Sequence, residues 1–224
     1  MSSNRRKVVL EKTRKVFLIH VSSAWDWKHP LGAEAVRTKK IFDDDAFHTR
    51  MILFSNDQFL SLIDTYFDQK IIKTIQKMAK DLLKHEHIFV IGKNLMYPAA
   101  LEFALKIKET SYIHTEGFAA GELKHGVISL IEQGTPVFVL AENNDQFDEI
   151  CSSAAQVKAR GAYTIGISPK PSQQFGFYLP TPDLGSLNVF THVMIGQLFG
   201  YYLGIGKNTD PDKPRNLAKS VTVK

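Results

Sequence analysis

The feature that most constrains the fold is an alternation of short apolar runs with longer amphipathic runs, which begins near residue 68. In the first amphipathic run, residues 71–83, the apolar side chains recur at helical spacing and lysines occupy the opposite face. The short apolar runs predict buried strands, and the longer runs predict helices. Strands are predicted at 88–92, 136–141, 162–167 and 177–179, and further helices at 98–113, 145–160 and 187–205.

Strands that alternate with helices predict an α/β fold. We expect a doubly wound parallel sheet of about five strands, flavodoxin-like, with helices on both faces and an irregular C-terminal tail. In such sheets ligands bind beyond the carboxyl ends of the strands. We therefore expect a ligand crevice formed by the loop at Gly92, the segment after Ile113 and the loop at 141–144.

The pattern is much weaker before residue 67. Residues 16–21 (VFLIHV) and 51–54 (MILF) predict short strands, but the stretch between them shows no clear period. We expect residues 1–66 to form an α/β appendage or the remnant of a larger unit. Residues 67–224 are expected to form one domain that ends in the irregular tail.

The net charge of +5 does not predict a broad nucleic-acid-binding face. Residues 1–15 carry six basic residues and one acidic residue, which accounts for the whole net charge, so the rest of the chain is neutral. A basic arm of this kind can grip phosphates. We favour a solvated terminus and do not expect nucleic acid as a partner.

The cysteine count and the absence of a membrane signal predict a soluble cytoplasmic protein. Cys151 is the single cysteine, so a disulfide within the chain and a multi-cysteine metal site are excluded. Its position within a predicted helix favours a packing role.

His85 and His87 flank Glu86 before a strand, which we interpret as a polar strand entry in preference to a metal site. We expect no nucleotide cofactor, since no glycine-rich nucleotide loop is present, and no metal.

A polar stripe marks the predicted helix at 98–113. Glu102, Lys106 and Glu109 are spaced i, i+4, i+7, so they share one face of a helix that is otherwise rich in apolar residues. Such a stripe is commonly a surface ion-pair series. Because the start of this helix abuts the expected crevice, an acid–base pair in a cleft is the alternative.

Two further features present groups that could take part in catalysis. The sequence GFAAGELKHG at 117–126 displays His125 among small residues, as a general acid–base group or on a solvated helical turn. In the tail, Lys219 is an amine that could form an imine with a carbonyl group if the tail folds back over a site.

Two of these segments resemble one family. The run PAALEFALKIKETSYIHTEGFAAGELKHG (98–126) and the ending PRNLAKSVTVK (214–224) strongly resemble glucosamine-6-phosphate synthase, or glutamine:fructose-6-phosphate amidotransferase. The resemblance covers about residues 68–224, corresponding to the second sugar isomerase (SIS) domain and the C-terminal tail of that enzyme.

The resemblance implies a role for each residue. Glu109 would move a proton between C1 and C2 of the sugar, with assistance from Lys106. His125 would open the sugar ring from across a homodimer interface, and Lys219 would form a Schiff base with fructose 6-phosphate. The substrate-binding residues implied alongside them are Glu102 and Ala218.

The chain also departs from the family. Ser2 stands where a glutaminase cysteine would be expected, and a first SIS domain is missing or reduced to residues 1–66. We therefore expect an isomerase-type domain for fructose 6-phosphate and glucosamine 6-phosphate that takes ammonia from elsewhere. A separate glutaminase or first-SIS chain would make it half of a split enzyme. The alternative is a non-catalytic sugar-phosphate-binding or assembly module.

Overall fold

A computed structural model describes residues 65–216 of the chain. The strands predicted at 16–21 and 51–54, together with Ala218 and Lys219, lie outside the described residues. The chain divides into two units after Asp68, and all the elements described below belong to the second unit.

Four helices and five strands alternate along the described residues. In chain order they are α1 (Gln69–Leu82), β1 (His87–Gly92), α2 (Met96–Ser111), β2 (His114–Ala119), β3 (Pro136–Leu140), α3 (Phe147–Lys158), β4 (Tyr163–Ser168), β5 (Phe177–Pro180) and α4 (Asn188–Gly206). Short 3₁₀ segments occupy Ala120–His125, Val127–Leu130 and Gly185–Leu187. None of the described helices is long and apolar enough to cross a membrane.

The described strands form one parallel sheet in the order β2-β1-β3-β4-β5. This confirms the predicted fold class of a five-stranded parallel α/β sheet. The four strands predicted after residue 67 are present within two residues of their expected bounds. The fifth, β2, was not predicted: it lies at the edge of the sheet and pairs with β1, with His87 opposite His114.

The side chains of the central strands alternate between two cores. Phe89 and Val137 pack toward α3, in a cluster that includes Cys151. This confirms the packing role predicted for Cys151, and burial raises the pKa of its thiol. On the other side of the sheet, the Phe138 ring centroid lies 4.8 Å from those of both Phe103 on α2 and Phe199 on α4.

Helices α2 and α4 approach each other unusually closely at Gly200. A methyl group added at Gly200 would lie 2.7 Å from the carbonyl oxygen of Lys106. The Thr110 hydroxyl donates to the backbone oxygens of Gly200 at 2.7 Å and Lys106 at 2.8 Å. The backbone of Lys106 is therefore held against a buried helix, which fixes the root of its side chain.

Candidate active site

The polar stripe on α2 forms a partly buried ion cluster. The Nζ of Lys106 lies 2.9 Å from Oε2 of Glu109 and 3.3 Å from Oε1 of Glu102. The exposed fractions of these side chains are 14% for Lys106, 24% for Glu102 and 26% for Glu109. One ammonium thus bridges two carboxylates, and its low exposure distinguishes the cluster from a fully solvated surface stripe.

The ion cluster does not line the crevice at the carboxyl ends of the strands. Helix α2 begins beside that crevice, as predicted, but runs back along the sheet. Because an α-helix rises 1.5 Å per residue, Glu109 lies about 20 Å along the axis from Leu95 at the helix start. The crevice itself contains a cavity whose lining includes Asn94 and Glu142 but none of Glu102, Lys106 and Glu109.

The chain after α4 folds back onto the end of α2, close to the ion cluster. The Thr209 hydroxyl donates to the backbone oxygen of Thr110. The backbone N–H of Arg215 donates to the phenol oxygen of Tyr112 at 2.8 Å, and the Arg215 guanidinium lies 4.1 Å from the centre of that ring. The beginning of the tail is therefore anchored to Tyr112, which follows Glu109 by three residues.

Sequence reasoning missed this anchor. Tyr112 terminates α2 in the left-handed conformation with φ 59°, where glycine is the usual residue, so its sequence gives no helix-end signal. Arg215 lies in the segment that carries the family resemblance, but nothing in its spacing predicts a contact with residue 112.

His125 lies at the opposite edge of the sheet from Glu109. It ends the 3₁₀ segment that follows β2, and its side chain is exposed. Helix α2 ends just before β2 begins, so the six residues of β2 separate the two positions by about 20 Å. Within one chain, the structure does not bring His125 to the ion cluster.

The other histidines highlighted by the sequence also have defined surroundings. His87 begins β1, and its Nδ1 lies 3.1 Å from Nδ1 of His114. Burial lowers the pKa of His85, with Lys84 contributing. Among the described residues, no three His, Cys, Asp or Glu side chains are grouped as a metal site would require.

Comparison with known proteins identifies the domain. The family model for the SIS domain matches residues 81–176. The glutamine–fructose-6-phosphate aminotransferase (isomerizing) of Methanosarcina acetivorans is 41% identical over 156 residues, 67% of this chain and 25% of that protein. The enzyme of the same name from Clostridium acetobutylicum is 43% identical over 155 residues, 66% of this chain and 25% of that protein. The chain thus spans about a quarter of the length of these relatives.

Solved structures give the same result. The C-terminal domain of glucosamine-fructose-6-phosphate aminotransferase from Francisella tularensis superimposes with a TM-score of 0.61 at 31% identity, covering 68% of this chain and 44% of that chain. A glucosamine-6-phosphate deaminase from Thermotoga maritima, at 23% identity and a TM-score of 0.59 over 78% of this chain and 53% of that chain, shares the fold. The resemblance seen in the sequence is confirmed: this chain contains a SIS domain of the type found in the glutamine–fructose-6-phosphate aminotransferases.

Proposed function

We propose that this chain catalyses the sugar-isomerising step of glucosamine 6-phosphate formation, with fructose 6-phosphate as its substrate. The observation that carries the proposal is the partly buried Lys106 ammonium between the carboxylates of Glu102 and Glu109, within a SIS domain. The names of the 41–43% identical relatives support the substrate and the reaction class.

Glu109 is the proposed proton carrier. Its carboxylate takes a proton from C1 of the open-chain sugar imine, leaving an enamine, and returns it to C2. With ammonia as the imine nitrogen, the transfer leaves an amine at C2 and an aldehyde at C1. Lys106, 2.9 Å from Glu109, holds the carboxylate in place and stabilises its charge. Glu102, on the same face, is positioned to accept hydrogen bonds from sugar hydroxyls.

Lys219 is the proposed Schiff-base lysine, with Ala218 against the substrate. Its amine adds to the C2 carbonyl with loss of water, and ammonia then displaces the lysine nitrogen from C2. This exchange frees Lys219 and leaves the ammonia-derived imine, whose C1 hydrogen is acidic enough for Glu109 to remove. The anchored start of the tail supports this role. Arg215 contacts Tyr112, three residues from Glu109, and Lys219 follows four residues later, a reach of about 13 Å when extended.

The proposed homodimer brings His125 to the ion cluster of the other subunit. Within one chain Glu109 lies before β2 and His125 after it, and the strand between them is about 20 Å long, more than the length of one sugar. The surface beside the cluster also suits a partner, since Leu101 and Leu105 on α2 are 44% and 38% exposed. An imidazole supplied there can transfer the proton that opens the sugar ring.

The remaining parts of the reaction need further groups. We propose that residues 67–224 act as one domain with the catalytic tail, that residues 1–66 form an appendage, and that a separate glutaminase or first-SIS chain supplies ammonia and the phosphate-binding loop. The name of the relatives, glutamine–fructose-6-phosphate aminotransferase, supports glutamine as the source of this ammonia. A cytoplasmic location is proposed with this arrangement.

Proton exchange tests the role of Glu109. With fructose 6-phosphate and ammonium in D₂O, we expect the C1 proton signal to disappear in NMR spectra as the enzyme turns over. Glu109→Gln should slow this exchange by about 100-fold or more, because the amide cannot accept the proton. Glu132→Gln, at an exposed carboxylate before β3, is the matched control and should exchange at the wild-type rate.

Borohydride trapping tests the role of Lys219. Reduction in the presence of fructose 6-phosphate should leave a sugar adduct on Lys219, found by mass spectrometry of the digested protein. If neither exchange nor an adduct appears while the sugar phosphate still binds, the isomerase proposal is wrong and the chain is a sugar-phosphate-binding module.

Substitutions of two lysines on α2 distinguish the effect of the ion cluster on the exchange rate from the effect of charge alone. Lys106→Met should reduce the exchange rate by about 100-fold, because the Glu109 carboxylate loses its partner at 2.9 Å. Lys108→Met removes the same charge from an exposed position two residues away and should leave the rate unchanged. Equal effects of the two substitutions would contradict a specific role for Lys106.

A further inference from the structure

A cavity of about 320 Å³ opens at the carboxyl edge of the sheet, in the size range of small-molecule sites. It lies between the ends of the neighbouring strands β1 and β3. From these ends the chain continues to α2 on one face of the sheet and to α3 on the other. Open α/β sheets bind ligands at such a switch point. The cavity is lined by Asn94, Leu95, Glu142, Asn143, Asn144, Gln146, Gly185 and Asn188.

Most of this lining consists of amide side chains, and one of them, Asn188, is buried. Asn188 is 1% exposed, and its Oδ1 accepts a hydrogen bond from the Leu184 N–H at 2.8 Å. Its Nδ2 lies near the Asp183 carboxylate, whose pKa it helps to lower, but it makes no hydrogen bond of regular geometry among the described residues. An amide nitrogen carries two N–H groups, so this buried amide has capacity for an acceptor on a bound molecule in addition to Asp183.

The charge of the cavity is negative. Glu142 lines it, and burial raises the pKa of this carboxyl while Asn144 opposes the shift and Asp183 adds to it. Asp183 accepts a hydrogen bond from Asn143 at 2.8 Å, which, together with the Gly185 N–H and the Asn188 amide, holds its pKa below the usual value.

The same charge argues against a phosphate ligand. None of the described residues that line the cavity is cationic. Lys93, next to the lining residue Asn94, is paired with Glu149 on α3. A phosphate group would therefore meet the Glu142 carboxylate without a lining cation. An ammonium group would find an acceptor in that carboxylate, and hydroxyl groups would find both donors and acceptors in the amides.

We propose that this cavity is a second ligand site, separate from the ion cluster on α2, and that it binds a small polyhydroxylated amine without a phosphate group, such as an unphosphorylated hexosamine. The ammonium group pairs with Glu142, and a hydroxyl oxygen accepts a hydrogen bond from Nδ2 of Asn188. Amides of Asn143 and Asn144 complete the contacts with hydroxyl groups. The proposal does not depend on catalysis at Lys106 and Glu109, since these residues lie outside the cavity.

The test is an NMR titration of the full ¹⁵N-labelled chain with D-glucosamine, D-glucose and fructose 6-phosphate. We expect glucosamine to shift the side-chain amide signals of Asn143 and Asn188 in a saturable manner. Glucose should bind about tenfold more weakly, because it lacks the ammonium group. Fructose 6-phosphate should leave these signals in place, whether or not it binds at the ion cluster, so the outcome is independent of the proposed enzymatic function.

A substitution that removes the charge of Glu142 makes the test more specific. Glu142→Gln keeps the size of the side chain and should weaken glucosamine binding about tenfold while leaving glucose binding unchanged. Glu132→Gln, at an exposed position before β3, is the matched control and should change neither affinity. The backbone spectrum of each variant reports whether it is folded. Absence of shifts with glucosamine at about 10 mM, equal binding of fructose 6-phosphate, or an unchanged preference in Glu142→Gln would overturn the proposal.

Discussion

At the scale of single residues, His192 has its protonation state set by burial. The ring is 0% exposed, with Nδ1 at 2.7 Å from the Asn188 backbone oxygen and Nε2 at 3.0 Å from that of Ile167. Burial lowers the pKa of His192, and the carbonyl groups of Asn188, Ile167 and Ala141 oppose the shift without reversing it. At neutral pH the ring of the folded protein is therefore uncharged and donates to one of its two carbonyl neighbours.

A pH-dependent stability follows from this lowered pKa. In the unfolded chain His192 binds a proton below about pH 6.5, whereas the folded form resists protonation until a lower pH. The unfolded state then binds more protons. The contribution of His192 to the free energy of unfolding is therefore complete above about pH 6.5 and decreases as the pH is lowered from there. In urea unfolding between pH 7.5 and 5.5, this residue should raise the unfolding equilibrium constant by no more than about tenfold per pH unit.

His192→Gln isolates this contribution. Glutamine retains one N–H donor for the Ile167 or Asn188 oxygen but does not titrate, so the variant should unfold with a weaker pH dependence than the wild type. The other histidines and carboxylates are common to both proteins and cancel in the comparison. Parallel pH profiles for the two proteins would show that burial of His192 does not control stability in this range.

At the scale of elements, the contact between α2 and α4 depends on Gly200. Alanine would place its methyl group 2.7 Å from the Lys106 carbonyl oxygen, a backbone atom that cannot rotate away. We expect Gly200→Ala to lower the free energy of unfolding by about 1–3 kcal/mol, because the two helices must move apart. Urea denaturation measures the change.

Gly121→Ala is the matched control for this contact. A methyl group added at Gly121 would meet nothing within 4 Å in the described part of the chain, and no positive φ is required there. Its stability should stay within about 0.5 kcal/mol of the wild type. If Gly200→Ala were equally neutral, the close approach of the helices would not be an important constraint.

The elements differ in how far the sequence specifies them. Strands β1, β3 and β4 are central and buried, so their apolar runs were sufficient to predict them. Strand β2 was missed because its sequence, HTEGFA, is polar and it lies at the edge of the sheet. A signal was available, since the 22 residues between Ile113 and Pro136 exceed the usual length of an unstructured connection.

At the scale of the whole molecule, sequence spacing predicted the ion cluster but not its place. The helical period placed Glu102, Lys106 and Glu109 on one face, as the structure has them. Of the two interpretations, a surface stripe and an acid–base pair in a cleft, the second placed the cluster at the crevice because α2 follows β1. The period of a helix, however, does not fix which part of the helix lies at which edge of the sheet. The cavity at the crevice is lined instead by amide side chains of loops, which have no period.

Subunit complementation tests the proposed sharing of His125 between two copies of the chain. Glu109→Gln and His125→Asn should each be inactive alone in the C1 proton exchange assay. In a mixed dimer, one of the two sites combines an intact Glu109 from one subunit with an intact His125 from the other. After subunit exchange of an equal mixture, about a quarter of the wild-type rate should return, since half of the dimers are mixed and each has one complete site. If mixed dimers are verified by mass spectrometry but are inactive, Glu109 and His125 of the same chain act together, which would contradict a shared site.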